Sequence, residues 1–491
     1  MKKVIIIGGG VAGLTAGFFS QLYGFESEIY ESHSIVGGEC TGWTRDGFHI
    51  DNCIHWLTGT KKDTEIYELW KQLGVLGDNV EIISPDEFYT SHIDGKTVTL
   101  YRDIEKTKAE LLEISPDDKD EINSFIDAVK ASFVVQVPVE MPMDMMPKLK
   151  MMKLGMSMMG VLKYMKKYGK INMKQFSEKF KSPILRTFFS DYMDPRYSAF
   201  SYIFSYATFA DGNGDIPRGG SLKAVQRIAE KYKASGGKIH TSSPVKSINI
   251  NGNRAESITL ENGETVEADY IIPACDTSVT FGKLLDKKFM PKQLAESYEN
   301  SEIMSIFQVT FAADDLCRFI NITDVFDCKP ITIANTSASR MSIRNYNYEP
   351  SFAPSGKTVL RTSFLQDEKD FDYWEKLYTS DKTAYDRKKQ ELAEEILCSV
   401  TEFYPQLKGK LRIIDVTTPY TYYRFTNAYK GAYMGFIADS QKSSQPITGL
   451  INGLDNVVIG SQWIQTPGGL PIAVMAGKFA AQRIANKEWG N

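Results

Sequence analysis

Apolar positions recur along this chain with two different periods, and the places where the period changes are legible. Val4-Ile5-Ile6-Ile7 is an unbroken apolar run, the pattern of a strand buried on both faces of a parallel sheet. Val11 to Tyr23 then has helical spacing, and Glu26 to Tyr30 returns to a strand pattern, which together predict a strand–turn–helix–strand unit. Residues 85–101 predict a hairpin turning at Asp94-Gly95, a pair suited to the type I′ turn. The stretch 104–206 is mainly helical in pattern. An amphipathic helix follows Pro217-Arg218-Gly219-Gly220-Ser221, and a meander follows it, with tight turns at Asn251-Gly252 and Asn262-Gly263. Ala268 to Ala274 predicts another buried strand, and Lys382 to Ser399 a charged helix. Tyr420, Tyr422, Tyr423 and Arg424 read as a half-buried aromatic strand. The chain closes with a strand at Val457 to Ile459 and a helix over Pro471 to Ala485.

Composition narrows the class. The 491 residues allow two to four domains at ~100–200 residues each. A net charge of −4 and a pI near 5.9 give no electrostatic footing for nucleic acid. The six cysteines form no disulfide framework and the five histidines no zinc-type cluster, so a reducing, cytoplasmic setting without a metal is expected. The apolar run after Lys3 is too short for a signal peptide, and no stretch of ~18 apolar residues predicts a membrane span.

The chemistry begins at Gly8-Gly9-Gly10-Val11-Ala12-Gly13, a G-x-G-x-x-G run between a strand and a helix. Gly8 permits the tight turn, Gly10 lets the backbone approach a pyrophosphate, and Gly13 lets helix and strand pack closely. The helix start offers free N–H groups to phosphates. Glu31, eighteen residues beyond Gly13, is placed to accept from ribose hydroxyls, with Ser32 beside it. This is a dinucleotide-binding signature.

Further segments identify the kind of dinucleotide. Val36-Gly37-Gly38 follows Glu31, and Gly460-Ser461 through Pro467-Gly468-Gly469-Leu470-Pro471-Ile472 leads into the last helix, which contains Gly477. Together with the Pro217–Leu222 segment, Gly236-Gly237-Lys238-Ile239 and Val245, these resemble the carotenoid desaturase, carotenoid isomerase and retinol saturase group of the amine oxidase superfamily. The resemblance implies non-covalent FAD. It places Gly37 and Gly38 along the pyrophosphate, Val245 at the adenine, and the P-G-G-x-P turn against the flavin, with the helix start facing the charge of the reduced ring. Where that group often has arginine after the glycine pair, this chain has Glu39 and Cys40, so Glu39 must point away from the diphosphate or pair with a cation.

The expected architecture is α/β: a discontinuous Rossmann-like FAD-binding domain (1–85, 210–290 and 415–491) interleaved with a substrate domain (86–209 and 291–414) of mixed sheet plus helical cap. Asp51-Asn52-Cys53-Ile54-His55-Trp56 resembles a D-x-G-x-H-aromatic run of the retinol saturase branch, with Cys53 in place of glycine. It makes His55 a candidate proton donor or acceptor, weighed against a structural histidine in a strand. Asp51 reads as a backbone cap. Tyr423 is the tyrosine candidate on the substrate side. No second G-x-G-x-x-G occurs, because Gly212-Asn213-Gly214 lacks the third glycine, so electrons are expected to pass through a transient partner.

Residues 141–173 hold most of the 18 methionines. Leu154, Met158, Val161 and Met165 fall on one helical face, and Lys163, Lys166, Lys167 and Lys170 on another. That pattern suits an apolar ligand or peripheral contact with an anionic membrane, and equally a methionine-rich helix on the core. The expected function is hydride transfer between FAD and the C–C or C=C bonds of an isoprenoid-, carotenoid- or retinoid-like lipid, in a saturase, desaturase or isomerase. The alternatives are a flavin amine or amino-acid oxidase and a non-catalytic flavin redox-sensing module.

Overall fold

The N-terminal apolar run becomes strand β1 (Lys3–Ile7), followed by helix α1 (Val11–Leu22) and strand β2 (Glu26–Tyr30). The structure, a computed structural model, describes residues 1–438 and 447–490; positions 439–446 and 491 of the expected 415–491 segment lie outside the described residues. Val4, Ile5 and Ile6 are fully buried, as a strand covered on both faces requires.

The predicted hairpin forms as β3 (Glu87–Ile93) and β4 (Lys96–Tyr101), with both Asp94 and Gly95 at positive φ (48° and 74°). Helices fill most of 104–210. The middle of the chain supplies helix α2 (Gly220–Ala234), strand β5 (Lys238–His240), the meander over 245–267 and strand β6 (Tyr270–Pro273). The first meander turn sits one residue later than expected. Asn251 pairs with Arg254, so Gly252 and Asn253 make the turn, and only Gly252 takes a positive φ.

β5, β2, β1 and β6, in that order, form a wholly parallel sheet. Val457–Ile459 runs beside β6, with hydrogen bonds from Ile271 N to Asn456 O (3.0 Å) and Val458 N to Ile271 O (3.1 Å), without becoming a regular strand.

A second sheet joins distant parts of the chain: β3 and β4 with β7 (Ser305–Ala313), β8 (Thr323–Ile333), β9 (Thr336–Asn345), β10 (Thr358–Gln366) and β11 (Leu411–Thr417). Its order is β11-β7-β10-β9-β8-β3-β4, antiparallel except between β8 and β3. The aromatic segment expected as a strand is instead helix α3 (Pro419–Thr426). Thr418 caps it by accepting from Thr421 N, and Pro419 occupies its first turn, so local end signals override strand propensity. The last helix, α4 (Leu470–Trp489), packs on α1 so closely that a Cβ on Gly477 would lie 2.0 Å from the Ala12 carbonyl oxygen.

The methionine-rich segment forms two short helices, Lys148–Ser157 and Met159–Tyr168. The predicted stripe turns inward: Val161 is buried, and Leu154, Met158 and Met165 are half-buried. A second apolar set is exposed, with Met159 at 67% and Met156 at 60%.

Candidate functional site

The two glycine motifs are built against each other. Gly8, at φ 105°, donates its N–H to Tyr30 O (2.9 Å) and so closes the β1 turn onto β2. A Cβ on Gly13 would lie 1.9 Å from Gly8 O, so the close packing expected of this glycine is present. Gly37 donates to Gly9 O (2.9 Å), which lays the Gly37-Gly38 turn beside Gly10. Gly10 begins α1 without any side-chain cap, leaving the first N–H groups of the helix open. Glu31 ties the turn together by accepting from Gly9 N (2.6 Å) and His33 N (2.7 Å). Ser32 Oγ also reaches it (3.2 Å), and its remaining lone pairs face the cavity.

That cavity measures about 2040 Å³, roughly twice the upper end of single-ligand pockets (~300–1,000 Å³), so it has room for a dinucleotide and a second ligand. Its lining includes Gly8, Gly10, Val11, Ala12, Glu31, Ser32, Gly37, Gly38 and Val245 from the cofactor candidates. At the far end it includes Ser461, Pro467, Gly468, Gly469, Pro471 and Ile472. Gly468 and Gly469 take φ of 83° and 88°, and Gly469 N donates to Gln462 Oε1 (2.7 Å). α4 therefore starts at the cavity, also without a side-chain cap. Gly13 and Gly460 are not in the lining. Gly460 is a packing glycine, whose Cβ would lie 2.7 Å from Ile272 Cγ2. Two uncapped helix starts and backbone-lined turns fit a diphosphate at one end and a flat ring at the other.

Glu39 solves its sequence problem without a cation. Burial pushes its carboxyl well above the usual carboxylate range, and Cys53 and Asp276 add to the effect. These neighbours and its burial favour the protonated form of a group that faces the cavity, and its Oε2 has no partner.

His55 lies on an irregular segment between Phe48–Asp51 and Leu57–Thr58, not in a strand. The segment is held by Ser221, whose Oγ accepts from Ile54 N (2.7 Å). Asp51 is turned away from the cavity, accepting from Ser221 N (2.6 Å) at the start of α2. Burial holds the His55 imidazole well below its ordinary range, and Arg344 and Arg361 push it further down. It is a neutral ring at neutral pH, an acceptor or weak N–H donor rather than an imidazolium acid.

Tyr423 is 38% exposed and stacks on Tyr420 at 5.7 Å, at the rim of the cavity. Its neighbour Tyr422 is the buried one. Its hydroxyl lies 2.9 Å from Asn52 Oδ1 and 2.8 Å from Gln308 Oε1. Sequence reasoning named Tyr422 with its neighbours but missed Asn52, Gln308, Arg344 and Arg361, which face the cavity with it. The alternation of β9 and β10 was the only available signal for the two arginines. None of residues 141–173 lines the cavity, so the methionine belt is not its wall. Among the described residues, no helix is long and apolar enough to cross a membrane.

Residues 11–485 match the family described as flavin containing amine oxidoreductase. A 4,4'-diapophytoene desaturase (4,4'-diapolycopene-forming) of Methylomonas sp is 23% identical, covering 73% of this chain and 72% of that protein. A chloroplastic prolycopene isomerase of Daucus carota is 22% identical, covering 98% and 79%. Among solved structures, cyclohexylamine oxidase from Brevibacterium oxydans superposes with a TM-score of 0.59 at 14% identity, over 99% of each chain. The chain belongs to the flavin containing amine oxidoreductase family and is an FAD-dependent oxidoreductase.

Proposed function

We propose that this member of the flavin containing amine oxidoreductase family acts on C–C or C=C bonds of an apolar, isoprenoid-like polyene. The observation that carries the reading is the size and lining of this large cavity. Beside the closing glycine turn it is walled by Trp56, Tyr192, Met193, Tyr197, Phe204 and Met434. The curated relatives named above are a polyene desaturase and a polyene isomerase, which supports the same class. The amine oxidase alternative is disfavoured on electrostatic grounds, because two buried arginines in this cavity would repel a substrate ammonium.

In this reading FAD, when bound, supplies the two-electron hydride acceptor or donor. The uncapped start of α1 with Gly8, Gly10, Val11 and Ala12 holds the diphosphate, with Gly37 and Gly38 beside it. Glu31 and Ser32 take the ribose, Val245 the adenine, and Pro467 to Ile472 the flavin ring. Segments 1–85, 210–290 and 415–491 carry the cofactor, while 86–209 and 291–414 carry the substrate surface. The aromatic wall orients the chain and excludes water. Neutral His55 is the proton acceptor nearest the arginines, and Tyr423 guards the rim. Electrons enter or leave through a transient partner. The exposed methionines and lysines of 141–173 rest on an anionic membrane surface.

The test is to reduce the purified, FAD-loaded protein without oxygen and mix it with a panel of polyenes. Return of the oxidised flavin spectrum with one polyene is the result expected of a saturase. Desaturation would bleach the oxidised enzyme, and isomerisation would show as rearranged polyene. Turnover of amines with no response to any polyene would overturn the reading.

A further inference from the structure

Two arginines in this cavity have no acid to pair with. Arg344 of β9 and Arg361 of β10 stand directly opposite each other in the antiparallel register. Both line the cavity, and they are only 9% and 2% exposed. Arg344 donates to His55 O (2.8 Å), Thr323 Oγ1 (3.1 Å) and Tyr348 Oη (3.3 Å). Arg361 donates to Asp51 O and Asn52 Oδ1, the latter at 3.3 Å. The Nε of each is buried and makes no hydrogen bond within normal geometry, although the Tyr346 hydroxyl stands beside Arg361. Among the described residues, no carboxylate comes within 4.0 Å of either guanidinium.

The same strand shows how this chain ordinarily settles an inward arginine. Arg340, on the same face of β9, is held by Asp191 in a bidentate pair. Arg344 and Arg361 lack such a pair and in addition face each other, and like charges directly opposite across a sheet repel. Uncompensated buried charge is strongly unfavourable, so the arrangement calls for an anion supplied from outside.

The other titratable groups here do not supply it. Asp51 spends its carboxylate on Ser221 and Cys53 N (3.3 Å). Even if Asp51 is ionised, two arginines leave one positive charge over. His55 is neutral. Tyr192, Tyr348 and Tyr422 are pushed upward, first of all by burial, and stay protonated. The uncapped start of α1, where the diphosphate is proposed to sit, involves neither arginine. At least one residual positive charge beside two planar forks suits a carboxylate, which accepts bidentate hydrogen bonds and carries one negative charge.

The surroundings say what is attached to it. Next along the same sheet face come Ser342 and Ser363, a paired rung, and then Leu365 with its partner Ile306. Beyond the two arginines this face of the cavity carries the serine rung, then Leu365 and Ile306, with Arg340 already neutralised by Asp191. We propose that the substrate is an unsaturated lipid acid, its carboxylate held between Arg344 and Arg361 and its chain running toward Ile306 and Leu365. The chain class rests on the polyene reading above; the head group does not.

Three probes with one chain isolate the head group: geranylgeranoic acid, its methyl ester and geranylgeranyl diphosphate. Each is titrated into the full-length FAD-loaded protein, and binding is read from the shift of the flavin absorption band. The acid is expected to bind at least about tenfold more tightly than the ester. Arg361→Gln and Arg344→Gln should bring the acid to the ester's affinity and leave the ester unchanged. Arg361→Lys, which keeps the charge, should retain part of the preference. Flavin content reports whether each variant is folded, and the wild-type comparison stands without any variant. Equal binding of acid and ester, tighter binding of the diphosphate, or no binding of any probe would overturn the proposal. Preferential binding of the acid without redox turnover of any lipid would sink the polyene reading and leave only the carboxylate site between the two arginines standing. Equal turnover of acid and ester would do the reverse.

Discussion

A methyl group on Gly13 would meet the Gly8 carbonyl oxygen at 1.9 Å, and that oxygen belongs to backbone already tied to β2. Gly13→Ala is therefore expected to cost about 1–3 kcal/mol of stability and to strip the flavin, because the turn cannot yield without moving the phosphate cradle. Gly282→Ala, whose Cβ would meet nothing within 4 Å, is the control. The ratio of flavin to protein absorbance after gel filtration, with a thermal melt, decides the matter; a Gly13→Ala protein with full flavin and an unchanged Tm would refute it. Such a glycine is legible in sequence, because sterics at one backbone position restrict the residue type. The state of His55 is not. Its ring is held neutral by burial and by Arg344, which reaches its carbonyl from 289 residues away. Likewise Glu39 looked like a misplaced anion in sequence, and its burial, with Cys53 and Asp276 beside it, pushes its carboxyl upward toward the protonated form.

At the scale of elements, α3 shows a local signal overruling propensity. Its tyrosines and threonines favour a strand, yet Thr418 and Pro419 start a helix and Asn427, at φ 55°, ends it. The consequence is directional. In a strand Tyr420 and Tyr422 would share a face, with Tyr423 opposite; in the helix Tyr422 and Tyr423 diverge by about 100°. Tyr422 goes inward to Asn52 and Gln308, and Tyr423 stays at the rim. Tyr422→Phe should destabilise the protein by about 0.5–1.5 kcal/mol, since the hydroxyl donates its one proton to Asn52 Oδ1 or Gln308 Oε1, and these oxygens keep Arg361 and Thr417 as donors. Tyr423→Phe should fall within about 0.5 kcal/mol of wild type. Urea unfolding of the two variants checks this, and the opposite ranking would reject the assignment.

Across the whole molecule, the exposed methionines lie on a different surface from the cavity wall. If 141–173 rests on a membrane, the protein should sediment with vesicles containing anionic lipid and detach as salt is raised. Replacing the exposed Lys148, Lys153, Lys163 and Lys166 by glutamine should abolish that binding while leaving flavin content unchanged. Sedimentation indifferent to salt and to these substitutions would rule the contact out. What the sequence by itself determined is the glycine-built lining proposed to hold the cofactor: the β1–α1–β2 turn, the glycine pair beside it and the P-G-G-x-P entry to α4. Each is a short run in which backbone geometry dictates residue type, so the constraint is written where it acts. The arginine pair proposed to meet the substrate was decided only by tertiary structure. Arg344 and Arg361 are ordinary residues of two strands until the register of β9 on β10 sets them opposite each other, with no carboxylate of the described residues within ion-pair distance. That pairing comes from sheet assembly across hundreds of residues, and no local pattern carries it.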